Sequence, residues 1–122
     1  MKVMIERTLW LLCFALGGAA PAQAAVRVVA TSPSLAAIAQ EVGGDAVEVQ
    51  TLASATEDPH YVDPRPNLIL MVNRADLLLV NGLELESGWL PALQVAARNG
   101  KIQVGGPGYL DVSQLVTLLE TP

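Results

Sequence analysis

The run A-D-L-L-L-V-N-G, residues 75–82, decides how this chain folds. Leu77, Leu78, Leu79 and Val80 follow one another with no polar alternation, so neither face of a strand built from them can look at water. Such a strand belongs inside a parallel sheet covered on both sides. Asn81 and Gly82 then break it, as residues suited to a turn.

Working toward the amino terminus, residues 67–74 cluster Leu68, Ile69, Met71 and Val72 at helical spacing, with Pro66 suited to a first helical turn. Residues 47–51 (V-E-V-Q-T) read as a strand. Ser32 and Pro33 carry the chemistry of a helix start, Leu35, Ile38, Ala39 and Val42 fall at helical spacing behind them, and Gly43 and Gly44 stop that helix. Residues 26–30 (V-R-V-V-A) form a further strand. Toward the carboxyl terminus, residues 86–98 read as a helix carrying Trp89, Leu90, Leu93 and Ala97 on one side, closed by Asn99 and Gly100. Residues 101–104 (K-I-Q-V) read as a fourth strand, ended by Gly105, Gly106, Pro107 and Gly108, and residues 110–119 as one more turn or helix. The alternation predicts an α/β fold, a four-stranded parallel sheet with helices on both faces. Ligands of such sheets bind beyond the carboxyl ends of the strands, where strand order reverses. Residues 31–33, 57–60, 81–82 and 105–106 are expected to gather there.

One of those segments carries the chain's single histidine. Residues 57–66 read E-D-P-H-Y-V-D-P-R-P, with His60 between Pro59 and Pro64 and with Asp58 and Asp63 nearby. Proline fixes its own φ and pushes the preceding residue toward extended backbone, so the loop is stiff and presents His60 in few orientations. A presented imidazole coordinates metals; a lone loop histidine is also often just solvated. Glu57, Asp58 and Asp63 are suited to orient His60 from behind, or to serve only as turn formers. Asn81 and Gly82 are either hydrogen-bonding partners of that loop or plain turn chemistry. Glu84 and Glu86 read as first-turn helix residues favoured by the dipole in preference to ligands, Trp89 and Met71 as core, and Tyr61 and Tyr109 as half-buried in preference to shields of a cleft.

The chain has 122 residues and a formal net charge of −5. Lys2 and Arg7, an apolar run over residues 9–20, and Ala22, Gln23 and Ala24 form the layout of an export signal over residues 1–24. Cys13 lies inside the apolar run, which leaves residues 25–122 free of cysteine, without disulfide or thiolate chemistry. Removing Lys2, Arg7 and Glu6 makes the remainder one unit more acidic. That balance argues against nucleic acid or an anionic membrane surface as partner and is compatible with cation handling. Residues 25–122 suffice for one small domain.

Three segments, E-V-G-G-D-A-V-E-V-Q-T-L (41–52), D-P-H-Y-V-D-P-R-P (58–66) and A-D-L-L-L-V-N-G-L-E-L-E-S-G-W-L (75–90), occur in the order and spacing of the first lobe of the zinc- and manganese-binding receptors of bacterial ABC importers, the cluster A-I solute-binding proteins. The chain resembles that N-terminal lobe over nearly all of residues 25–122. The resemblance implies a monomeric periplasmic receptor, not an enzyme. It implies two α/β lobes joined by a long helix, a divalent metal, zinc or manganese, held between them as transported ligand, and delivery to a membrane permease. It makes His60 the first metal ligand. In the family a second histidine follows beyond the fourth strand, and the second lobe supplies a histidine or glutamate and then an aspartate. No such residues follow in this sequence, so the lobe is expected to be truncated. One imidazole, with or without help from Asp58 or Asp63, holds a metal at about millimolar strength, roughly 4 kcal/mol, against about 10–16 kcal/mol for a full zinc set.

Other functions fit the residues less well. A dinucleotide enzyme needs G-x-G-x-x-G after the first strand, where this chain has Thr31, Ser32, Pro33 and Ser34. One histidine without cysteine leaves no triad. An anion-binding receptor lobe remains open, because a serine-rich helix start can hold an oxyanion, and so does a metal-independent surface adhesion protein.

Overall fold

The computed structural model describes residues 23–119. The expected export signal lies almost wholly outside the described residues. Four strands, β1 (Val26–Ala30), β2 (Val47–Thr51), β3 (Leu77–Val80) and β4 (Tyr109–Asp111), form one sheet in the order β2-β1-β3-β4. All pairs are parallel, with Val26 opposite Val47, Val28 opposite Leu77 and Leu78 opposite Tyr109. Three helices alternate with them: α1 (Pro33–Gly43), α2 (Pro66–Arg74) and α3 (Leu90–Ala97). Each has a proline in its first turn, where the missing N–H has no partner to lose.

Strand order explains how the helices divide. The step from β1 to β2 runs one way across the sheet, and the steps to β3 and β4 run back. Right-handed crossovers therefore put α1 on one face and α2 and α3 together on the other. Adjacent residues in β1 and β3 point to opposite faces. Val28, Ala30 and Leu79 pack with Leu35 of α1, while Val29, Leu78 and Val80 join Leu68 and Val72 of α2 and Leu90, Leu93 and Ala97 of α3. Leu78 is fully buried, as the unalternated run predicts. A leucine removed from water in this way contributes about 1.5–3 kcal/mol.

Three expectations need correction. The fourth strand is Tyr109–Asp111, and residues 101–104 are not extended. Gly100–Ile102 is instead a 3-10 turn whose Asn99 side chain accepts from the Lys101 N–H, and Ile102 drops into the core. Gly106 and Gly108 then pass close beneath the backbone, leaving no room for a Cβ against the Lys101 and Asp76 carbonyls, and only after that does the chain pair with β3. The third helix starts at Leu90, not at residue 86, because Pro91 sets its first turn. On α1 only Leu35 is buried; Ile38 and Val42 are 61% and 84% exposed, because Leu35, Ala36 and Ala39 form the face that meets the sheet. The tail, expected as a turn or a helix, contains the 3-10 turn Val112–Leu115. Among the described residues no helix is long and apolar enough to cross a membrane.

At the amino edge of the sheet, Asp76 ties three segments together. It accepts from the Arg27 backbone N–H and Nε, each at 3.1 Å, and from Lys101 Nζ at 3.1 Å. Those bonds, with Arg27 the larger contributor, hold its carboxyl well below the usual carboxylate range.

Candidate functional site

The carboxyl ends of β1 and β3 lie side by side, and the chain leaves them toward opposite faces, α1 after β1 and α3 after β3. The edge opens at that point, as in other doubly wound sheets. Glu86 fills the opening. Its side chain, 3% exposed, accepts from the Asn81 backbone N–H at 2.8 Å, the Gly82 N–H at 3.2 Å, Asn81 Nδ2 at 3.0 Å and the Thr31 hydroxyl. Ser32 occupies the N-cap position of α1, but its hydroxyl donates to Asn81 Oδ1 at 3.2 Å and not to its own helix. The carboxylate thus takes up the backbone N–H groups that follow the end of β3, together with the Thr31 hydroxyl beside them.

The turn that brings Glu86 back under β3 is tight. Gly82, Leu83 and Glu84 all have positive φ, 83°, 54° and 66°. A Cβ at Gly82 would overlap the Asp111 carboxylate, so glycine is required there by space as well as by backbone.

His60 stands on the loop between β2 and α2, which leaves the carboxyl end of one and enters the amino end of the other. It therefore sits at the carboxyl edge. Three attachments fix the loop. Val62, Leu52 and Ala53 are buried in the α2/α3 core. Trp89 Nε1 donates to the Pro59 carbonyl at 2.9 Å, and the Trp89 N–H in turn bonds the Glu86 carbonyl at 3.2 Å. Glu57 accepts from the Ser54 N–H at 2.8 Å and from Arg65 at 3.0 Å; the Ser54 bond first, then Arg65, lowers its pKa. The imidazole projects outward with its side chain 60% exposed, and Nδ1 lies 2.8 Å from Asp58 Oδ1. The same oxygen accepts the His60 N–H at 2.9 Å, and these two bonds lower the Asp58 pKa.

Residues 31–33, 57–60 and 81–82 therefore gather at the carboxyl edge as expected. Residues 105–106 do not: they precede β4 and lie at the amino edge, close to Lys101, while residues 112–113 follow β4 instead. Asn81 and Gly82 serve Glu86, not the His60 loop directly. Tyr61 is 81% exposed, so it is not half-buried. Glu86 is neither helical nor a dipole residue. The sequence carries only its position, a carboxylate four residues beyond the strand-ending Asn81-Gly82; its burial depends on how β1 and β3 meet. Among the described residues no three His, Cys, Asp or Glu side chains converge on one point. What the edge offers chemically is one exposed imidazole on a clamped loop.

Residues 28–120 match the family model described as ZnuA, zinc-uptake complex component A periplasmic. The chain is 29% identical over 109 residues to the metal ABC transporter substrate-binding lipoprotein FimA of Streptococcus parasanguinis, across 89% of this chain and 35% of that protein. It is 33% identical over 94 residues to the manganese ABC transporter substrate-binding lipoprotein PsaA of Streptococcus anginosus, across 77% and 30%. A crystal structure of a ZnuA deletion mutant with zinc bound superposes with a TM-score of 0.66 at 27% identity, over 81% of this chain and 35% of that one. The chain spans about a third of the length of these relatives.

Proposed function

The chain belongs to the zinc-uptake complex component A family of periplasmic proteins, and on that premise we propose that residues 25–122 are the N-terminal lobe of a substrate-binding protein that captures zinc or manganese outside the cytoplasm. The metal is cargo, handed to the membrane permease of an ABC importer, and no chemistry is performed on it. The receptor works as a monomer. Metal-transport relatives support the cargo, and the exposed His60 ring on a loop clamped at the carboxyl edge carries the assignment of the site.

His60 is the one ligand this lobe supplies from its β2–α2 loop. A zinc site uses about four ligands, so the remaining donors belong to other parts of the full receptor. A polypeptide of residues 25–122 alone is expected to hold zinc at about millimolar strength. Because His60 is the single histidine, its ring resonances are unambiguous. Zinc titrated into this polypeptide is expected to move them, and His60→Ala to abolish the response. If zinc leaves the ring unmoved while phosphate shifts the amides of residues 31–33, the lobe is an anion receptor and the metal reading falls.

A further inference from the structure

From the geometry of one carboxylate oxygen we infer that Asp58 is a positioning residue that selects Nε2 as the metal-facing atom of His60. This rests on the reading of His60 as a metal ligand. Asp58 Oδ1 accepts the His60 backbone N–H at 2.9 Å and lies 2.8 Å from Nδ1. An oxygen that already accepts one N–H beside the ring fixes both where the ring lies and which nitrogen carries the proton. A carboxylate has only lone pairs to offer, so Nδ1 must be the donor. In the neutral ring the lone pair then resides on Nε2, on the side away from Asp58, and a metal coordinates through lone pairs.

The backbone beneath is held independently. Trp89 Nε1 fixes the Pro59 carbonyl, and Val62 anchors the far side of the loop in the core. Apart from its one bond to the His60 backbone N–H, Asp58 therefore acts on the ring and its tautomer, not on whether the loop exists. Its side chain is 57% exposed, so replacing it disturbs little packing. Glu57 and Arg65 pair with each other on the same loop and do not compete for the ring. Holding the ring in one tautomer and one rotamer removes ordering that metal binding would otherwise have to supply.

The test uses long-range nitrogen–proton correlation spectra of the single imidazole, in the metal-free polypeptide at a pH where the ring is neutral. In the unaltered chain the Nδ1–H tautomer is expected to dominate. Asp58→Ala is expected to shift the population toward Nε2–H, while Asp58→Asn, which keeps an acceptor oxygen, is expected to retain Nδ1–H. Zinc affinity should fall about tenfold in Asp58→Ala, the low end for loss of an outer partner because the bond is exposed, and less in Asp58→Asn. An Nε2–H ring in the unaltered chain, or a tautomer ratio unchanged by Asp58→Ala, overturns the inference. Zinc that fails to shift Nε2 in the unaltered chain overturns the metal reading instead, and the metal-free spectra then still decide the tautomer.

Discussion

Removing the Glu86 carboxylate is the perturbation with the largest expected effect per atom. In Glu86→Ala four donors lose their acceptor: the Asn81 and Gly82 backbone N–H groups, the Asn81 amide and the Thr31 hydroxyl. They are not equally stranded. The Asn81 N–H and Nδ2 also reach Thr31 Oγ1, at 3.3 and 3.0 Å, so they keep a partner. Among the described residues the Gly82 N–H has no such second acceptor. A stranded buried donor costs about 1–3 kcal/mol, and loss of a bond to a charged acceptor about 1.5–3. Taking one of each, with partial relief from entering water, gives about 3 kcal/mol. That is a large part of the roughly 5–15 kcal/mol that holds a domain folded. At a urea slope of about 1.5 kcal/mol per molar, the midpoint should fall by about 2 M. Glu86→Gln retains one oxygen but turns an NH2 against the remaining donors, so it should lie between the two. A Glu86→Ala midpoint within about 0.3 M of the unaltered protein would refute the reasoning, because the switch point would then not depend on that carboxylate.

Other expectations concern single contacts. Trp89→Phe keeps most of the buried ring but strands the Pro59 carbonyl; about 1 kcal/mol should be lost, and amide exchange should accelerate in residues 54–64 more than in the strands. Gly82→Ala meets both a left-handed φ and the Asp111 carboxylate, and should destabilise by more than about 1 kcal/mol in thermal or urea unfolding. Asp76 has a lowered folded pKa, so its stabilising contribution is present above its unfolded value near 3.8 and is lost as pH falls through and below it. The stability gap between the unaltered protein and Asp76→Asn should accordingly be full near neutrality and shrink in acid, as read from urea midpoints across that range.

Most of the sheet was legible because several local signals agreed. Leu77 to Val80 showed a strand buried on both faces, and prolines 33 and 66 marked helix starts that the structure repeats. The error at residues 101–104 has a physical source. Four residues of polar/apolar alternation serve equally as a strand or as a turn that drops one side chain into the core, and Ile102 does the latter. What moved the strand to Tyr109 is the close passage of Gly106 and Gly108 under the backbone, a tertiary fit that residue pattern does not encode. The late start of α3 was readable from Pro91, which favours a first turn. At the site, the stiffness of the loop around His60 followed from its prolines. The clamp from Trp89 and the burial of Glu86 did not, since both depend on β1, β3 and α3 meeting at one edge. Asp58 was legible as a neighbour of His60 but not as the acceptor of its Nδ1.

The central claim is that His60 is the metal-facing corner of this lobe. Anomalous diffraction at the zinc edge from crystals of the polypeptide soaked in zinc tests it directly. A peak about 2.0–2.1 Å from His60 Nε2 is expected, absent from His60→Ala crystals. A peak that persists in His60→Ala, or zinc found only on carboxylates elsewhere while His60 stays free, would contradict it.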